Sequence, residues 1–150
     1  MEKKIVQVQE RTQQLIRQLL NVWESSVRAT HDFLSEEEII KIREYVPMAI
    51  ENVEYLIIAE KEFGEPVAFM GIDSNRLEML LLSPEVRGKG LGKQLLQYGI
   101  ETYNIQELTV NEQNPQAVGF YEHMGFQTYK RTDHDEEGNP YPLLYMRLSR

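Results

Sequence analysis

From about Glu10 to Arg28 the apolar residues Leu15, Ile16, Leu19, Leu20, Trp23 and Val27 return at three- and four-residue intervals. That spacing predicts a helix with one buried face. Ser35-Glu36-Glu37-Glu38 reads as a capping box, with Ser35 as N-cap and Glu38 reaching back. It opens a second helix with Ile39, Ile40 and Ile42 inward, ending before Pro47. Around Ile5, Val6 and Val8 the segment Lys4–Val8 alternates as a first strand. Three apolar runs follow at 55–60, 67–73 and 77–82, separated by Gly64-Glu65-Pro66 and Ser74-Asn75. They predict an antiparallel meander. Gly90 to Tyr103 carries Leu91, Leu95, Leu96 and Ile100 on one helical face, and Glu107 to Val110 is a short strand. Asn114 before Pro115 marks another helix start. The segments 127–132 and 143–148 predict a closing hairpin across a polar turn.

Hairpins dominate the first half while helices and strands alternate later, so the expected fold is a mixed α/β (α+β) domain over residues 1–150. Composition adds little to this. The 150 residues are 41% hydrophobic and 27% charged, as in an ordinary globule, and include no cysteine, which excludes disulfides and thiolate metal sites. The opening Met1–Gln7 has basic residues but no apolar stretch after them, so neither a signal peptide nor a membrane span is expected, and the protein is read as cytoplasmic.

Charge changes the picture more. A net charge of -8 argues against nucleic-acid binding driven by phosphate neutralisation. Any phosphate-bearing ligand therefore needs a local exception, and Arg87, Lys89 and Lys93 supply one. They flank Arg87-Gly88-Lys89-Gly90-Leu91-Gly92, a loop between a predicted strand and a predicted helix. Free amides at a helix N-terminus bind anions, and glycines let a diphosphate approach the backbone. The alternative is a plain turn with a solvated basic rim, which three glycines in five residues disfavour. A Walker A loop fails, because Arg87 and Gln94 stand where Gly and Ser/Thr are required. A dinucleotide fingerprint fails at Lys93 and lacks the preceding βαβ unit.

Arg87-x-x-Gly90-x-Gly92, after Leu80-Leu81-Leu82-Ser83-Pro84, resembles the acetyl-CoA motif of the GNAT acetyltransferase superfamily. A second GNAT signature runs from Asn111 through Asn114-Pro115 and Tyr121 to Gly125-Phe126, about 25 residues on. Within the superfamily, Trp23–Phe33 and Asn139–Leu144 resemble a group of little-characterised bacterial acetyltransferases. The resemblance implies a GNAT fold: a mixed, mostly antiparallel central sheet of six to seven strands with about four helices. It also implies acetyl-CoA as cosubstrate, no metal, and direct acetyl transfer to a primary amine without an acyl-enzyme. The acceptor would be a small molecule, a peptide or protein N-terminus, or a lysine.

By that resemblance, backbone amides from Arg87, Gly88, Lys89, Gly90, Leu91 and Gly92, with Lys93 nearby, anchor the diphosphate. The pantetheine lies along Leu80, Leu81 and Leu82, where neighbouring strands splay, and a backbone N–H there holds the oxyanion. Tyr121 stands at the family's general-acid position, although with Val118 and Met124 it also fits a core stripe. Asn114 either caps its helix, contacts the cofactor, or does both, and Asn111 lines the same cleft. Strand parity places Glu78 on the face of Leu80 and Leu82, as a candidate base or a cross-strand ion partner. His31, Asp32 and Phe33 lie in the connector that shapes the acceptor pocket in the family, or else cap and solvate. His31, His123 and His134 lack metal-ligand spacing, and Asp133–Gly138 does not complete a calcium loop. Two rivals stay open: a non-catalytic acyl-CoA-binding or sensing module of the same fold, and a homodimeric interaction protein using the C-terminal strand pair.

Overall fold

The computed structural model describes residues 4–149; Met1–Lys3 and Arg150 lie outside the described residues. The three central apolar runs form β2 (Tyr55–Glu60), β3 (Pro66–Asp73) and β4 (Arg76–Leu82), paired antiparallel in sequence order. β1 (Lys4–Gln7) adds antiparallel to β2. After α4 (Leu91–Tyr103) come β5 (Glu107–Asn111), α5 (Pro115–His123), and the hairpin β6 (Phe126–Thr132) and β7 (Leu143–Leu148). The seven-stranded sheet has the order β1-β2-β3-β4-β5-β7-β6, and only β4 and β5 run parallel. This is the expected mixed, mostly antiparallel architecture.

Both faces of the central strands are covered, which is why these runs are continuously apolar rather than alternating. Leu56, Ile58 and Phe69 face α1 (Gln13–Thr30), α2 (Glu36–Arg43) and α3 (Val46–Asn52). Ile57, Ala59, Ala68, Met70 and Ile72 face Leu91, Leu95 and Leu96 of α4 and Tyr121 of α5. α1 starts slightly later than its apolar stripe suggests, because Thr12 Oγ1 accepts the Leu15 N–H at 3.1 Å. The capping box of α2 is present: Glu38 N–H donates to Ser35 Oγ, and Ser35 N–H to Glu38 Oε1.

Two local expectations change. Of the α2 isoleucines only Ile39 is buried, while Ile40 and Ile42 are exposed. Pro47 also falls in the first turn of the additional short helix α3, where a missing N–H does no harm.

The feature that shapes the site is the meeting of β4 and β5. They pair only at Arg76↔Glu107 and Leu77↔Leu108. Immediately beyond, Glu78 has no partner in the β3–β4 register: Met79 faces Gly71 and Leu77 faces Ile72. Such an extra residue bends and twists its strand. The bulge begins where the parallel pairing ends, so β4 leaves β5 at that point and the sheet opens.

Candidate active site

The opened strands expose backbone groups. Ser83 N–H donates to Val67 C=O at 2.8 Å. The two-residue alternation of an antiparallel ladder then turns the amides and carbonyls of Leu80 and Leu82 toward the gap left by β5. At the end of β4, a short 3-10 turn, Pro84–Val86, leads into the glycine loop. Gly90 is the N-cap of α4, with φ +83°, and no side chain caps the helix. Beyond the loose turn at 87–90, no amide of residues 88–93 makes a well-aligned hydrogen bond among the described residues, and the first helical bond is Gln94 N–H on Gly90 C=O. Gly88 and Gly90 both have positive φ, and a Cβ at either would meet nothing within 4 Å. Unpaired amides, left-handed glycines and open space beside them fit a diphosphate-bearing cosubstrate.

A cleft runs through the splay in two lobes. The first, of about 690 Å³, is bounded by Leu80–Leu82, Arg87, Gly88, Gly90, Gly92 and Lys93 on one side and by α5 on the other. The second, of about 380 Å³, lies toward α2 and α3 and is lined by Trp23, Ile42, Tyr45, Glu78, Thr109 and Asn111. Six residues border both lobes: His31, Leu80, Leu81, Asn114, Ala117 and Tyr121. They mark the junction where the two lobes join.

Tyr121, Glu78 and His31 are the side chains of this region whose titration the surroundings shift. Tyr121 is 9% exposed, with Phe120 and Phe126 edge-on at 5.3 and 6.1 Å. Burial raises its pKa above the ordinary phenol value, so it keeps its proton. Glu78 faces the second lobe, and partial burial raises its pKa, while Arg76 opposes that shift and Asp73 and Glu136 add to it. Its carboxylate lies 3.3 Å from Arg76 Nε, yet that buried nitrogen has no aligned hydrogen bond among the described residues. The contact is thus a charge pairing without a formed hydrogen bond. Arg76 is otherwise held by Thr109 Oγ1, by Glu136 at 3.3 Å and over the Tyr145 ring.

His31 caps the C-terminus of α1. Its N–H donates to Val27 C=O, and its Nδ1 lies 2.7 Å from Thr30 Oγ1. The Thr30 hydroxyl in turn donates to Ser26 C=O at 2.8 Å. Burial, then the nearby Arg87 cation, lower the His31 pKa, with Asp32 partly offsetting them.

Of the residues singled out from sequence, the first lobe gathers Leu80–Leu82, Arg87, Gly88, Gly90, Gly92, Lys93, Asn114, Tyr121 and His31. Asn111 faces the second lobe instead, with Glu78; its Oδ1 accepts Gln113 N–H at 2.9 Å. The Asn114 side chain caps α5 by accepting Ala117 N–H, and the residue lines both lobes. Leu91 is buried in the core and Lys89 is exposed, so neither side chain lines a lobe. Asp32 and Phe33 line neither lobe; Phe33 stacks between His31 and Tyr141 at 5.3 and 5.9 Å. Sequence reasoning passed over Ser26, Thr30, Tyr45, Gln116 and His123 as cleft residues. A signal for the first two existed: they continue the helical stripe of Trp23 and Val27 with polar side chains, and Ser26 is 3% exposed.

The profile of the acetyltransferase (GNAT) domain matches residues 24–149, and the chain belongs to that family of acetyl-CoA-dependent acetyltransferases. Its relatives narrow this further. It is 40% identical to the peptidyl-lysine N-acetyltransferase YjaB of Salmonella typhimurium over 126 residues, 84% of this chain and 86% of that protein. The Escherichia coli protein of the same name is 39% identical, over 85% of this chain and 86% of its own. The solution structure of apo-form YjaB from Escherichia coli superposes with a TM-score of 0.85 at 35% identity, covering 96% and 97% of the two chains. A PaiA N-acetyltransferase from Thermoplasma acidophilum, solved in complex with coenzyme A, shares the fold at a TM-score of 0.70 and 22% identity over 98% and 99%.

Proposed function

We propose that the protein transfers an acetyl group from acetyl-CoA directly to the side-chain amine of lysine in a peptide or protein. The observation that carries this reading is the two-lobed cleft through the splayed strands. A lobe with free helix-N-terminal amides and the cations Arg87 and Lys93 suits a diphosphate. A second lobe walled by Trp23, Ile42 and Tyr45, with the carboxylate of Glu78, suits an aliphatic stem ending in a cation. The YjaB relatives, named as peptidyl-lysine N-acetyltransferases, support the same acceptor class.

In this reading the loop 87–92 anchors the diphosphate and β4 receives the pantetheine as an added strand. The Leu80 or Leu82 amide turned into the gap steadies the developing oxyanion, a role worth about 3 kcal/mol in other enzymes. Tyr121 holds the proton that the leaving thiolate needs. Glu78 attracts the incoming cation. The chain has no cysteine, the strongest candidate for an acyl-enzyme.

Purified protein incubated with acetyl-CoA and lysine peptides, N-terminal-amine peptides and polyamines tests this by mass spectrometry and thiol release. Acetylation at peptide lysine is the expected result. Turnover of polyamines alone would replace the acceptor class, and saturable CoA binding without turnover of any amine would make the protein a sensor.

A further inference from the structure

Two groups at the junction of the lobes are titratable, and their surroundings treat them oppositely. Tyr121 is buried among aromatic rings and keeps its proton. His31 borders both lobes and is held in a fixed hydrogen-bond chain. A hydroxyl has one proton, and that of Thr30 goes to the carbonyl of Ser26, which can only accept. The 2.7 Å contact between Thr30 Oγ1 and His31 Nδ1 therefore needs its proton from the ring. The neutral imidazole is then the Nδ1–H tautomer, and Nε2 carries the lone pair.

We propose that His31 is the general base of the reaction, with its basic nitrogen set by the relay His31 Nδ1–H to Thr30 Oγ1–H to Ser26 C=O. Glu78 is less suited: it reaches only the second lobe and is already paired with Arg76. Burial and the Arg87 cation lower the His31 pKa and so favour the neutral ring that a base requires before the step, with Asp32 opposing them. Apart from Arg87 and Asp32, the titratable groups on elements around it are Tyr121 and His123 of α5, Lys93 of α4, Glu78 of β4, Tyr45 before α3, and Tyr141 behind Phe33.

The step balances without a further reactant. The ammonium first gives one proton to water; the neutral amine then forms the C–N bond at the thioester carbonyl carbon, and its surplus proton passes to His31 Nε2. The C–S bond breaks, and sulfur takes the proton of Tyr121. His31 then releases a proton to water and Tyr121 regains one, so amine and thioester become amide and thiol. Thr30 and Ser26 are positioning residues in this scheme, since they act through the ring.

The proposal uses the reading above only for the assay acceptor, and the tests separate the two. Wild-type log kcat/KM against pH should rise with a slope of about two below the His31 pKa and about one above it, where only the amine still titrates. His31→Gln should remove that break and lower kcat by roughly 10²-fold or more, with CoA affinity within about twofold of wild type. Added imidazole should restore part of the rate to His31→Ala. Thr30→Val should lower kcat while Thr30→Ser recovers it. Nitrogen-15 shifts of the ring at neutral pH should show protonated Nδ1 and bare Nε2, a readout independent of turnover. Near-wild-type kcat with the break retained in His31→Gln, or a ring protonated at Nε2, would overturn the assignment. If lysine peptides are not acetylated, the acceptor reading fails; the pH break with whichever amine is turned over, or the ring tautomer alone, still decides His31.

Discussion

A phenol is an acid of use at neutral pH only while it stays protonated, and the apolar packing of Tyr121 secures that. Tyr121→Phe keeps the ring contacts and removes only the proton donor. We expect kcat to fall by about 10²-fold or more, with CoA affinity by calorimetry nearly unchanged; wild-type turnover would remove Tyr121 as the acid. Gly90 makes a different demand. Its φ of +83° costs a side chain about 1–2 kcal/mol, and no neighbour obstructs a Cβ. Gly90→Val should therefore still fold while losing CoA binding, because the new atoms occupy the space beside the free amides. Unchanged affinity would count against the loop as the anchor. For Glu78→Gln, we expect KM for a lysine peptide to rise more than kcat falls, since its carboxylate attracts the cation without reaching the junction. A collapse of kcat with unaltered KM would make Glu78, not His31, the proton acceptor.

At the scale of elements, α2 forms one wall of the second lobe through Ile42, and its start rests on the reciprocal bonds of Ser35 and Glu38. Ser35→Ala should lower stability by about 1 kcal/mol, read as a shifted urea midpoint at unchanged slope; no shift would mean the Arg28–Glu36 and Arg43–Glu24 ion pairs hold the helix alone. This cap was legible because its signal is local, as were the central strands, whose apolar runs are bounded by turn residues. The helix α3 was not, because Pro47 serves equally as a terminator and as a first-turn residue. Strand parity predicted Glu78 on the face of Leu80 and Leu82. The bulge breaks the alternation on which that inference stood: Leu77 shares a core face with Leu80 and Leu82. A bulge depends on register with β3, which no window of β4 alone contains. The glycine loop was readable from spacing and charge, whereas the Ser26–Thr30–His31 relay needed three side-chain directions.

Across the whole molecule, the net charge of -8 and a basic rim at Arg87, Lys89 and Lys93 work against each other. Ligand binding must therefore come from local geometry rather than from the overall field. CoA at about 100 times its dissociation constant should stabilise the fold by roughly 2.7 kcal/mol, or about 5–10 °C in melting temperature for a chain of this size. A calorimetric scan without any shift would deny that the native state binds CoA and would favour an interaction protein. The same scan in Gly90→Val should lose the shift, linking the global response to one backbone position.

The two rungs at Arg76↔Glu107 and Leu77↔Leu108 are the whole of the backbone pairing between β4 and β5. Mechanically, then, the sheet is two panels sewn together by a short seam. If the cosubstrate binds as proposed, its pantetheine arm, with its own amides, would complete the unsewn length against Leu80 and Leu82. The proposed binding therefore predicts a sheet that is stiffer with coenzyme A bound than without it, read as slower amide exchange along β4 and β5.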